Sequence, residues 1–208
     1  KMKFSCSTFY FSHPCTVKHG ALVRTTKQDQ DIIDYFLNIK PKADYLPKSE
    51  HGWRTDSFAH LEHGEVLKEL LDQIHLWYCS NICPPRGPEF ITNNYNEITN
   101  TDNLEIDANV WFQESLTGQV TQQHDHGTLA RYSWVYYLSC DGEPSPLTFV
   151  KRDEVKSDIE NVDELHLPVY NKMIVMFPSV LHHKVYPAKD KRYILAGNIN
   201  DINFKESV

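Results

Sequence analysis

Apolar and polar positions follow two different rhythms along this chain. After Asp29 the apolar residues Ile32, Ile33, Phe36 and Leu37 recur at helical spacing, with Asp29 or Asp31 as a cap and Pro41 as the stop. A second stripe, Val66, Leu67, Leu70, Leu71, Ile74 and Trp77, predicts an amphipathic helix whose apolar face supports a core. Ahead of both, Phe4 to Ser12 and Cys15 to Val23 alternate around a proline break and predict two early strands. From Ile106 the period drops to two. Strands are expected at Ile106 to Gln113, Gln119 to Gln123, Tyr132 to Ser139, Leu147 to Val150, Leu165 to Leu167, Met173 to Phe177, His183 to Tyr186 and Tyr193 to Ile199. Turn residues at Leu116-Thr117-Gly118 and Asp141-Gly142-Glu143-Pro144 separate several of them. Short strands in series with no helix between them predict a mainly β fold, an antiparallel barrel or jelly roll with the amino-terminal helices behind it. Asn81 to Asn103 reads as a long irregular loop, part of a lid, and Lys151 to Asp163 as a charged, solvated connection.

With 208 residues, 40% hydrophobic and 24% charged, the chain is expected to form one domain over residues 1–208, with 1–104 supporting a core at 105–200. The formal net charge of −7, with no run of basic residues, argues against nucleic acid as a partner. No stretch is apolar enough for a membrane span. The five cysteines include no C-x-x-C pair, which argues against a disulfide framework and fits a cytoplasmic location. His75, Cys79 and Cys83 would align on a helix as a zinc site; buried thiols are the simpler reading.

Candidate chemistry gathers in two stretches. Gln122 to Leu138, QQHDHGTLARYSWVYYL, sets His124 and His126 two residues apart at the mouth of a strand. Residues at i and i+2 of a strand share a face, so both imidazoles can meet one ion while Asp125 points away. About sixty residues on, MIVMFPSVLHHKVYP carries His182 and His183, and nine residues after His183 comes Arg192, in KRYILAGNIN.

An H-x-H pair, a distant histidine after FPS, and a closely following arginine resemble the non-haem Fe(II) oxygenases that use 2-oxoglutarate, especially small prolyl-hydroxylase-like bacterial and phage members. The resemblance runs from Asn109 to Asn200, with a weaker echo in HGWRTD at His51 to Asp56. It implies a double-stranded β-helix with Fe(II) in its open mouth, activation of O₂, decarboxylation of 2-oxoglutarate to succinate and CO₂, and hydroxylation of an unactivated C–H bond.

The usual ligand set of that family is two histidines and a carboxylate, and here the carboxylate position is His126. Three arrangements stand: a face of His124, His126 and His183; a face in which a twist brings in Asp125 instead of His126; or two protein ligands only. The first is favoured, because neutral imidazoles bind Fe(II) well. His182 is the alternative distal ligand, and the spacing from FPS and to Arg192 selects His183.

If Arg192 opens a strand, it shares a face with Ile194, Ala196 and Asn198, the barrel interior, where it would meet the far carboxylate of 2-oxoglutarate; the alternative is a surface arginine. The resemblance gives Tyr137 the same carboxylate and turns Tyr136 outward to the helices. Asn109 and Gln122 are further candidates for the cosubstrate; Trp53, Trp111 and Gln113 are candidates for the substrate, a small molecule or a protein side chain. Two other readings remain: a three-histidine cupin-like dioxygenase that uses no 2-oxoglutarate, and a non-catalytic metal-binding jelly roll.

Overall fold

A computed structural model describes residues 4–10, 14–40, 52–82, 107–127, 130–150 and 164–199. The expected lid at 81–103, apart from its first two residues, and the charged stretch at 151–163 lie outside them, as do Cys83 and the surroundings of Cys79.

Two strands, β1 (Phe4–Tyr10) and β2 (Pro14–Ala21), precede the helix α1 (Thr26–Ile39). After them come the short strand β3 (Trp53–Arg54) and the helices α2 (Ala59–Glu62) and α3 (Gly64–Asn81). The rest is strand: β4 (Asp107–Ser115), β5 (Thr121–His124), β6 (Tyr132–Cys140), β7 (Leu147–Val150), β8 (Glu164–Leu167), β9 (Met173–Pro178), β10 (His183–Val185) and β11 (Arg192–Ile199). They form a seven-stranded sheet in the order β1-β2-β9-β6-β11-β4-β3 and a four-stranded sheet in the order β5-β10-β7-β8. The strand pairs of both sheets are antiparallel. This is the expected jelly roll, backed by helices.

The inner strands β4, β6, β9 and β11 of the larger sheet are buried on both faces, and alternation divides their side chains between two cores. Trp134, Tyr136 and Leu138 of β6, Phe112 of β4 and Leu195 of β11 pack with Ile32, Ile33, Phe36, Leu67, Leu70 and Ile74 of the helices. Val135 and Tyr137, Trp111, and Ile194 and Ala196 of the same strands face Leu147, Phe149 and Val185 of the smaller sheet.

The start of α1 differs from expectation. Neither Asp29 nor Asp31 caps it. Thr25 does, in a capping box: its side chain accepts from the Gln28 N–H while the Gln28 side chain accepts from the Thr25 N–H. Asp29 is instead buried in the first turn, accepting from Arg24 Nε at 2.7 Å and from the Tyr136 hydroxyl at 3.0 Å. Tyr136 therefore does turn to the helices.

Gly52 sits at φ +85°, where a side chain is strained, and a Cβ there would lie 2.2 Å from the Glu114 carbonyl oxygen. Only glycine lets the chain approach β4 this closely, and β3 then pairs Trp53 with Glu114 and Arg54 with Gln113.

Candidate metal centre and its cavity

The two sequence clusters meet through the smaller sheet. β10 pairs with β5 so that His183 stands directly opposite His124, and with β7 so that His183 also stands opposite Phe149. β5 ends at His124, and the chain turns through Gly127 at φ +60°. His126 thus reaches the site from a turn, tied by its own N–H to the Ser179 carbonyl at 2.8 Å, rather than as a neighbour along a regular strand.

His124, His126 and His183 each present a ring nitrogen, and these lie within 4.8 Å of one another. Their ring centroids are 4.3 to 5.2 Å apart. Backbone carbonyls fix two of the tautomers. His124 Nδ1 donates to the Gln122 carbonyl at 2.8 Å and His183 Nδ1 to the Leu181 carbonyl at 2.9 Å, which leaves each Nε2 lone pair for an ion. Behind His126, Asn198 bridges the ring to the Asn109 side chain and accepts from Ser133 Oγ at 2.6 Å.

Burial lowers the pKa of His183 to about 3 and of His126 to about 4, with His124 adding to both shifts. Both rings are therefore neutral donors at neutral pH, the form a metal requires.

Asp125 is occupied elsewhere. Its Oδ1 accepts from the Gly127 N–H at 2.9 Å, closing the turn, and its Oδ2 meets His182 Nε2 at 2.9 Å. The two residues next to candidate ligands thus pair with each other.

A cavity of about 350 Å³ opens from the three histidines between the sheets, lined by Trp111, Gln113, Gln122, Tyr137, Ile194 and Arg192 among others. Arg192 is 3% exposed, and its Nε and Nη1 have no hydrogen-bond partner among the described residues. It is not a surface arginine. Tyr137 is buried beside it, where burial raises the phenol pKa against the opposing charge of Arg192.

Two expected contacts fall elsewhere. Trp53 does not reach the cavity: alternation in β3 turns its ring to the helix side, 5.8 Å from the Phe112 ring and under the Lys40 ammonium. Its neighbour Arg54 takes the cavity side, stacked 4.9 Å from the Trp111 ring. The HGWRTD stretch pointed to the right strand and the wrong face. Asn109 lies behind His126, through Asn198, instead of on the cavity wall.

No protein-family profile and no curated protein matches the chain. Solved structures do. A prolyl-4-hydroxylase from Pseudomonas putida superposes with a TM-score of 0.54 at 15% identity, over 88% of this chain and 91% of its own. A prolyl hydroxylase from Trichoplax adhaerens, in complex with a hypoxia-inducible-factor peptide fragment, gives 0.52 at 12% identity over 89% and 83%. HygX from Streptomyces hygroscopicus, with nickel and 2-oxoglutarate bound, gives 0.56 at 8% identity over 90% and 83%. At such identities the likeness is one of fold, and the chain has the jelly-roll fold of the 2-oxoglutarate-dependent Fe(II) oxygenases.

Proposed function

We propose that the protein is an Fe(II)- and 2-oxoglutarate-dependent dioxygenase that hydroxylates an unactivated C–H bond. The observation that carries this reading is Arg192. A buried guanidinium with two unpartnered nitrogens is costly unless an anion completes it, and this one opens into the same cavity as a three-histidine cluster.

The residues present fit both groups. His124, His126 and His183 would hold the metal through neutral nitrogens, and Arg192 with Tyr137 would receive the far carboxylate of the cosubstrate. When bound together, Fe(II) and 2-oxoglutarate supply O₂ activation, with succinate and CO₂ as the cosubstrate's products. The chain's part is to orient the anion by a bidentate fork, to keep water from the apolar wall of Leu147, Phe177, Val185 and Ile194, and to hold His126 through Asn198. Gln122 and Gln113 stand on the wall as polar contacts for cosubstrate and substrate. A small molecule or a protein side chain fits the role of substrate; the Trichoplax protein is described with a peptide. Among the described residues no helix is long and apolar enough to cross a membrane.

The lack of a carboxylate in the cluster favours a second reading, a three-histidine dioxygenase that binds its substrate directly, with Arg192 on a substrate acid. Anaerobic addition of Fe(II) and then 2-oxoglutarate separates the two. A visible charge-transfer band is expected for the wild type and for His182→Ala, and none for His183→Ala. No band in the wild type, despite stoichiometric Fe(II) binding, selects the second reading.

A further inference from the structure

We infer that the substrate carries an oxyanion, a carboxylate or a phosphate ester, and that Arg54 is the residue that selects it. The inference rests on the oxygenase reading of the cavity and adds the class of molecule oxidised there.

The charges around the cavity motivate it. Two arginines line it, Arg192 within and Arg54 on the wall beside Trp111, and no Asp or Glu of the described residues joins them. The candidate ligands are all histidines, so the ligand shell would add no negative charge to offset a divalent cation. A bound 2-oxoglutarate dianion would balance the metal, leaving two guanidinium charges, Arg192 buried and Arg54 at the exposed rim, where the Asp56 carboxylate offsets it in part. In the oxygenase reading Arg192 would receive the cosubstrate's own carboxylate, and the remaining cation is Arg54.

The position of Arg54 is constructed in the fold. Gly52 brings β3 against β4, alternation sends Trp53 to the helices, and Arg54 is left over the Trp111 face. The Trp111 ring lies 5.9 Å from that of His126, so one indole separates this guanidinium from the candidate metal. Its own bonds go to neutral partners, Nε to the Thr55 carbonyl at 3.4 Å and Nη2 to Ser57 Oγ at 3.1 Å. The neighbouring Asp56 carboxylate accepts from the Phe58 N–H at 2.8 Å. No carboxylate of the described residues forms an ion pair with Arg54. The bonds to Thr55 and Ser57 take the Nε–Nη2 side, so an oxyanion would be met by the Nη1–Nη2 end, whose fork matches carboxylate and phosphate oxygens two at a time. A substrate so held presents to the metal a carbon about one ring's breadth from its anionic group.

The test uses the full chain loaded with Mn(II), read by calorimetry with and without 2-oxoglutarate. The probes are a panel of small carboxylic acids, each beside its amide, and phosphate monoesters, each beside the parent alcohol. The wild type is expected to prefer at least one anionic class over its neutral partners by about 10-fold or more. Arg54→Gln is expected to erase that preference while leaving 2-oxoglutarate affinity within about two-fold, and Arg54→Lys to restore part of it. Binders drawn equally from charged and neutral probes, or none at all, overturn the inference. So does a preference that survives Arg54→Gln. Failure of 2-oxoglutarate itself to bind the Mn(II)-loaded wild type sinks the oxygenase reading instead, and the probe panel without 2-oxoglutarate still decides the role of Arg54.

Discussion

Arg24 and Arg192 are both buried, on opposite sides of the seven-stranded sheet, and their surroundings are opposite in kind. Arg24, facing the helices, meets Asp29 at 2.7 Å with both side chains 2% exposed, and Asp29 in turn takes the Tyr136 hydroxyl. The Lys40–Glu114 pair, on the same side, follows the same rule. Arg192, facing the cavity, has no anion among the described residues. Charges on the helix side are neutralised within the fold, and the charge on the cavity side awaits something from outside. A buried charge without a counter-ion is costly, so an anion entering from outside would be stabilised more beside Arg192 than beside Arg24.

Breaking the comparison on its structural side should give the largest effect. Arg24→Met leaves Asp29 buried without its counter-charge and is expected to cost about 3–5 kcal/mol of stability, with 2-oxoglutarate affinity unchanged in the folded protein. Urea unfolding beside ligand titration reads both. On the other side the pattern inverts. Arg192→Gln removes an unpaired charge, so stability should hold or rise, while 2-oxoglutarate affinity falls by about 30-fold to several thousand-fold, the equivalent of roughly 2–5 kcal/mol. An unchanged half-saturation point for succinate formation would remove Arg192 from the site.

Acid sharpens the same contrast with a smaller effect. The cavity histidines His126 and His183 have folded pKa values of about 4 and about 3, below their ordinary 6.5. As pH falls through 6.5 the unfolded chain takes up these protons before the folded one does. Their contribution to the stability of the metal-free protein is therefore complete above about pH 6.5 and drains away toward pH 3–4. At pH 5 the loss should be about 1–2 kcal/mol for each ring. Unfolding curves at pH 7 and pH 5, wild type beside His183→Gln, measure it, and equal slopes would contradict the assignment. The smallest effect is expected at Asp125→Asn, which keeps the turn's hydrogen bond and whose carboxylate bonds Gly127 and His182, none of the three clustered histidines: Fe(II) affinity should stay within about two-fold. A loss of iron there would place the carboxylate in the metal shell.

Much of this was legible in the sequence because strand alternation is a strict rule. Once Arg192 opens β11, its sharing a face with Ile194, Ala196 and Asn198 follows, and so does the division of Tyr136 from Tyr137. The pairing of His124 with His183 was legible only as spacing; the cross-strand register that sets them face to face is tertiary. What failed was local. His126 reaches the cluster from a turn made by Asp125 and Gly127, for which strand periodicity has no term. The capping box at Thr25 is a T-x-x-Q spacing that competes in the sequence with two acidic residues equally able to cap, and only the backbone geometry decides between them. Trp53 as a substrate contact rests on the resemblance of the HGWRTD stretch alone, with packing as its alternative; a two-residue strand offers too little pattern to show that Arg54 is the neighbour that faces in.

Trp111 gives the cavity an optical consequence. Of the four tryptophans, it is the one whose ring lies beside a candidate metal ligand, with a guanidinium on its face. Trp53, by contrast, lies against Phe112, Trp77 belongs to the helix-side core, and Trp134, packed in that core, also touches the cavity wall. An anion that draws Arg54 off the indole, or a paramagnetic ion beside His126, would change the surroundings of Trp111 most directly. The molecule thus carries an intrinsic emission signal for the filling of its own cavity, with no label attached.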